Sequence, residues 1–324
     1  MGGDHAPGPI VDGALAAARY SGVAVTLVGR PDAVDAELAR HPDAATLDVD
    51  VVAAADVIGM DESPASALRR KPRASIRVAT ELVRDGAAAA VVSAGHTGAA
   101  VVAAHAAFGM LKGVDRPALA PAVPTRTGMA VLLDAGATVE CKPAHLLQFG
   151  VMGAVYARTL LGVEAPRVGL LSIGEEEGKG NDLTKEAYRL LKAAPLTFVG
   201  NIEARDVFSG RADVIVCDGF TGNVVLKLSE GLVEMVEEQL GAELSSTFSS
   251  QVGYLLSRRA FRRFRRRVYY SEYGGAPLMG VAGLCIVGHG RSSSKAVRNA
   301  VAMASRFAAS RVLERVVQEI AASV

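Results

Sequence analysis

Short, unbroken runs of β-branched and aliphatic residues recur along this chain of 324 residues, several ending in a glycine-rich turn that opens a helical stretch. Residues 23–28 (VAVTLV), 49–53, 90–93, 129–134, 168–173 and 213–217 have this character. A strand covered on one face alternates apolar and polar residues, whereas continuous apolar runs mark parallel strands buried on both faces. The helical stretches between them, at 12–20, 74–84, 143–161 and 182–193, supply the cover. The rhythm predicts one α/β unit over 1–324, a three-layer α/β/α sandwich with a mostly parallel sheet. Ligands of such folds bind beyond the carboxyl ends of strands, so function is to be sought in the residues after each run.

Four of those turns share one chemistry. Ser93-Ala94-Gly95-His96-Thr97, the segment from Gly174 to Asn181, Asp218 to Asn223, and Gly288-His289-Gly290 each combine glycine with small polar side chains and lead into a helix. Backbone N–H groups at a helix start favour an anion. One such turn is ordinary; four in one chain point to a phosphate-bearing or otherwise anionic substrate. The loop after 168–173 is the richest, with Glu175, Glu176 and Glu177, then Lys179 between Gly178 and Gly180, then Asn181. Asp4-His5 forms a further polar pair at the amino end.

Other chemistries fail on residue type. The 174–180 loop is one residue short of a Walker A loop and has Gly180 where a magnesium-binding Ser or Thr belongs. No complete G-x-G-x-x-G follows a strand, and no G-x-S-x-G occurs. Cys217 ends a strand without a neighbouring histidine, which reads as packing and not as a nucleophile. Cys141, Cys217 and Cys285 lie far apart and fit a reducing cytoplasm. No His/Cys spacing suggests a metal. The amino end shows no secretory leader, and the longest apolar stretch, 99–111, is too short to span a membrane.

Between 222 and 267 the pattern changes to a long helical stretch, a serine-rich break at 245–250 and a second, short helix. The second places Phe261 and Phe264 on one face among Arg258, Arg259, Arg262 and Arg265. Seven arginines fall within 258–267, so a chain of net charge +1 carries −6 once they are set aside. This is a basic patch on an acidic body, suited to an acidic partner or an anionic surface. The near-zero total gives no reason to expect nucleic acid. A closing helix is expected over 294–324.

The ordered segments MGGDHAP, SAGHTGA, LLDAGATVECKP, GLLSIGEEEGKGN, GNIEARD, VCDGFTGNVVLK and YGGAPLMGVAGLCIVGHG resemble the phosphate acyltransferase family, the acyl-acyl-carrier-protein:phosphate acyltransferases. The resemblance implies a fold shared with phosphotransacetylases and the isocitrate dehydrogenase class. It implies transfer of a fatty acyl group from acyl-acyl-carrier protein to inorganic phosphate for bacterial phospholipid synthesis, with no metal or organic cofactor. With the residue chemistry, it nominates Lys179, Asn181 and His96 as catalytic, Lys179 and Asn181 acting with backbone donors of Ser93 to Thr97. Asp4, His5, Ser93, Gly95, Thr97, Glu175, Gly180, Asp218, Asn223 and His289 are expected around the substrates. It further implies a homodimer in the cytoplasm, peripherally bound to an anionic membrane through a helical hairpin arm at about 223–268. Arg258, Arg259, Phe261, Arg262, Phe264 and Arg265 are the expected contacts with membrane or carrier protein, and a membrane glycerol-phosphate acyltransferase is the expected recipient of the product. A coenzyme A-linked phosphate acyltransferase and a non-catalytic scaffold remain the alternatives. The family carries asparagine where this chain has His96 and Thr138, and a strand ahead of MGGD that is absent here, so either the true start lies upstream or the sheet lacks an edge or central strand.

Overall fold

The computed structural model describes residues 1–268 and 274–323, without the side chains of 265–268; the arginine expected to act at 265 has its side chain outside this set. The strands are β1 (Val25–Gly29), β2 (Val49–Ala53), β3 (Val91–Ser93), β4 (Ala118–Leu119), β5 (Ala122–Thr125), β6 (Gly128–Leu133), β7 (Arg167–Leu171), β8 (Thr197–Ile202), β9 (Val214–Val216), β10 (Ala276–Met279) and β11 (Cys285–Val287). The helices are α1 (Gly8–Ser21), α2 (Pro31–Leu38), α3 (Pro64–Arg70), α4 (Ser75–Arg84), α5 (Thr97–Phe108), α6 (Pro143–Tyr156), α7 (Asp182–Ala193), α8 (Gly219–Ser246), α9 (Phe248–Val268), α10 (Ser294–Ala309) and α11 (Val312–Ser323).

The ladders run β3-β11-β10-β4 and β5-β6-β9-β7-β8, with β1-β2 a separate parallel pair. Residues 118–125 join the two larger ladders. Leu119 pairs with Leu278 of β10 on one side, while its carbonyl accepts from Ala135 N–H beyond β6 on the other. Pro121 falls where the segment passes from one ladder to the next, and its carbonyl accepts from Leu132 N–H. A proline can sit there because no amide is required of it at that point. Pairing across β10, 118–125 and β6 is antiparallel throughout, so β3 and β11 run opposite to β6, β7 and β9.

Alternation along the buried strands makes the three layers. Val131, Leu133, Val214 and Val216 face a core with α6, which is buried from His145 onward, whereas Ala130, Leu132, Ile215 and Cys217 face a second core with α5 and the root of α8. The continuous apolar runs are therefore strands read on two faces at once. This is the expected three-layer α/β/α architecture with a mostly parallel sheet.

Three features differ in detail from the sequence expectation. The serine-rich break shrinks to Thr247, whose Oγ1 accepts from Ser250 N–H and so starts α9 at once. The closing helix divides into α10 and α11 at Arg311, which has φ of 51°. The sheet opens between β1 and β3, where a cavity of about 610 Å³ is lined by Val25, Leu27, Ile76, Ala79, Val91 and Val297. Among the described residues β1 pairs only with β2, and β3 only with β11. Met1 lies at this slot. No helix among the described residues is long and apolar enough to cross a membrane.

Candidate active site

The nominated residues fall into two groups at the ends of oppositely running strands. The first stands beyond β6, β7 and β9. The loop after β7 is tied down by its own carboxylates: Glu175 pairs with Arg211 at 2.8 Å, and Glu177 with Lys192 at 3.0 Å. Asn201 Nδ2 donates to the Glu176 carbonyl at 2.9 Å. These contacts leave Lys179 exposed, its ammonium engaging no side chain among the described residues. Gly180, at φ of 101°, passes so close to the α7 start that a Cβ there would lie 2.1 Å from Thr184 Oγ1 and 2.9 Å from Ser172 Oγ. Only glycine fits that turn.

Asn181 caps α7 by accepting from Thr184 N–H at 2.9 Å, and Asp218 caps α8 by accepting from Thr221 N–H at 2.9 Å. Asn223, on the first turns of α8, faces Gly136 of the loop after β6. That loop is organised by Asp134, a fully buried carboxylate. It accepts backbone N–H groups from Leu119 (2.7 Å), Gly136 (3.1 Å), Ala137 (3.1 Å) and Thr138 (2.6 Å). Thr138 is held on both sides, its hydroxyl donating to the Pro117 carbonyl at 2.8 Å and its carbonyl accepting from Gly219 N–H at 2.9 Å.

The second group stands beyond β3 and β11. The amino-terminal segment lies between the two turns: Asp4 N–H donates to the Gly290 carbonyl at 3.0 Å, and a Cβ on Gly3 would meet the Ala94 carbonyl at 2.5 Å. Gly95 faces the Met1 carbonyl in the same way, and Ser93 O accepts from Gly288 N–H at 2.7 Å. His96 caps α5, its Nδ1 accepting from Ala99 N–H at 3.4 Å while Nε2 donates to the Glu62 carbonyl at 3.2 Å. Thr97 opens that helix, and His5 is exposed next to Asp4. His289 Nε2 lies 2.8 Å from Lys227 Nζ, which also donates to Glu230 at 2.6 Å. Burial and then the Lys227 charge push His289 below the ordinary histidine value, and the Arg291 N–H lies 3.4 Å from its other ring nitrogen, Nδ1.

Helix α8 connects the groups. Asn223 and Lys227 are four residues apart, hence neighbours on one helical face at roughly 6 Å between Cβ atoms. One belongs to the Asp134 loop and the other to His289. No cysteine supplies a nucleophile here. Cys217 Sγ donates to the Asp134 carbonyl at 3.5 Å, and burial raises its thiol well above the ordinary value; Cys141 is pushed up to about 12. The site instead offers backbone donors at helix starts, a free ammonium at Lys179 and a paired one at Lys227. These are tools for holding an anion and for stabilising charge.

Over residues 1–315 the sequence matches the family described as "Fatty acid synthesis protein". It is 55% identical over 324 residues to a phosphate acyltransferase of Nitratidesulfovibrio vulgaris (strain DP4), spanning 100% of this chain and 94% of the relative. It is 52% identical over 320 residues to one from Geobacter sp. (strain M21), spanning 99% and 91%. This chain belongs to the phosphate acyltransferase family. The phosphotransacetylase EutD of Staphylococcus aureus has the same fold, with a TM-score of 0.57, 15% identity and coverage of 93% of this chain and 92% of its own. A Streptococcus pyogenes phosphotransacetylase aligns with a TM-score of 0.58, 16% identity and coverage of 94% and 93%.

In this phosphate acyltransferase family member, three residues near the site escaped sequence reasoning. Asp134 ends an apolar strand and reads as a turn residue. Ser172 follows β7, and its buried hydroxyl, beside Gly180, has no hydrogen-bond partner among the described residues. Lys227 lies in a helical stretch (VVLKLSEG) where a lysine reads as solvated surface. Its spacing of four from Asn223 was the available signal.

Proposed function

We propose that this acyltransferase moves a fatty acyl group from acyl-acyl-carrier protein to inorganic phosphate, with phosphate held at Lys179 and the amino end of α7. The observation that carries this placement is the Lys179 ammonium, framed by Gly178 and Gly180 beside a helix start and without a side-chain partner. Phosphate is a competent nucleophile near neutral pH, so the protein's work is positioning and charge stabilisation. The Asn181 carbonyl oxygen is committed to capping, which leaves its amide N–H₂ to face the anion. A Lys179→Ala protein should lose about 100- to 1,000-fold in kcat/KM for phosphate. Unchanged turnover would sink the placement. Offering the acyl group on carrier protein and on coenzyme A in parallel distinguishes the carrier-linked reaction from a coenzyme A-linked one.

The basic arm supports acidic and membranous partners. Arg258, Arg259 and Arg262 are exposed along α9 with Phe264, while Phe261 is half-buried against Tyr254, ring centroids 5.3 Å apart. Such a helix suits an anionic membrane and an acidic carrier protein, and a membrane glycerol-phosphate acyltransferase would take the product there. The apolar side chains that α8 leaves exposed, Leu228, Leu232, Met235 and Val236, are the surface a homodimer would cover.

A further inference from the structure

The chemistry of a thioester poses a problem that phosphate binding does not solve. When phosphate adds to the thioester carbonyl, the tetrahedral adduct can expel either group. Phosphate departs as the conjugate base of a stronger acid than an alkyl thiol, whose pKa is about 8.5, and so leaves more readily than the thiolate. The adduct therefore falls back to reactants unless the sulfur is protonated or neutralised as the C–S bond breaks.

We propose that Lys227, held by His289 and Glu230, is the group that protonates the departing sulfur. Two of its three N–H bonds go to Glu230 and His289, which leaves the third for the substrate. Glu230 at 2.6 Å and the His289 ring at 2.8 Å hold the Lys227 amino group from two sides, so the pair fixes where it points. Lys227 shares a face of α8 with Asn223, one turn from the loop that Asp134 organises, while His289 brings it to the turns after β3 and β11. It is thus a cation placed between the two groups of loops. Arg291, which pairs with Glu234 at 3.4 Å, holds the same loop to α8 about two turns beyond Lys227.

The step balances as follows. A phosphate oxygen forms a bond to the carbonyl carbon, the C–S bond breaks with its electron pair on sulfur, and Lys227 Nζ gives that sulfur a proton, releasing the thiol. The proton that hydrogen phosphate surrenders on becoming an acyl phosphate restores the ammonium. This inference rests on the reading of the reaction given above and adds to it the identity of the acid.

The test varies the leaving group. A fatty acyl thioester of pantetheine needs help to release its thiolate; the same acyl group on 4-nitrothiophenol does not. Lys227→Met should slow acyl phosphate formation from the pantetheine ester by about 100-fold and from the aryl ester by no more than a few-fold. Lys227→Arg keeps the charge and the partner Glu230 but holds its proton too tightly to give it up, so it should show the same split in a folded protein. An equal loss on both esters in both variants would mean that Lys227 only braces the loop, and would overturn the assignment. Lys179→Ala should slow both esters alike, which separates failure of the phosphate site from failure of this one.

Discussion

Asp134 shows how one side chain can set a site without touching substrate. Its four N–H bonds join the strand 118–125 to the loop bearing Gly136, and the start of α8 packs onto it so closely that a Cβ on Gly222 would fall 1.8 Å from its carbonyl oxygen. Burial pushes its carboxyl up to about 6 against the pull of those donors. A carboxyl whose pKa is higher folded than unfolded binds its proton more tightly in the native state. Its contribution to stability is present at low pH and is lost as the pH rises through the folded value. Between about pH 4 and 6 the unfolding free energy should fall by about 3 kcal/mol on account of this group. Asp134→Asn should abolish that decline, and urea titrations of both proteins across this range would refute the account if the two curves ran parallel. The residue scale also explains which site predictions were ambiguous. The flanking glycines nominate Lys179, and the structure leaves it exposed between them. His96 and Asn181 are nominated as catalytic and Asp218 as a substrate contact, and the structure finds each capping a helix, because the side chains that accept an N–H at a helix start are the same small polar types that a ligand site employs at that place.

Among the elements, α8 and α9 carry the most exposed apolar surface, and they follow one another with only Thr247 between. The change of pattern after 222 announced them, since their arginines and leucines have no buried sheet to follow. The short second helix expected from the sequence proves longer because Thr247 caps it directly, a contact that serine-rich composition disguises as a loop. If α9 meets an anionic surface, each of its basic residues is worth about 1 kcal/mol there, and binding must weaken as salt rises. Vesicles containing phosphatidylglycerol should retain the protein at low salt and release it at high salt, while neutral vesicles should not retain it. A Phe264→Glu protein should bind the anionic vesicles at least 10-fold more weakly with acyl phosphate formation intact. Equal retention of variant and parent would remove the helix from the membrane reading.

At the scale of the molecule, the layered architecture was readable and the order of strands was not. Unbroken apolar runs reveal that a strand is covered twice, but crossovers decide its neighbours. β4, β5 and β10 escaped because prolines at 121, 124 and 277 interrupt their pattern, and β8 because Gly200 and Asn201 do. The pair β1-β2 is bound to the rest without a strand ladder, across the slot beside β3. Amide exchange should therefore open β1 and β2 at a lower free energy than β6, β7 and β9, which lie inside a continuous ladder. Uniform protection across all five would contradict this. The segment 118–125 has the opposite character, being hydrogen-bonded along both flanks. The loops near Lys179 and those near His289 hang from that single ribbon, so they cannot part without shearing it. The width of the gap between them is set by that ribbon and is expected to change little as the phosphate and the acyl donor come and go.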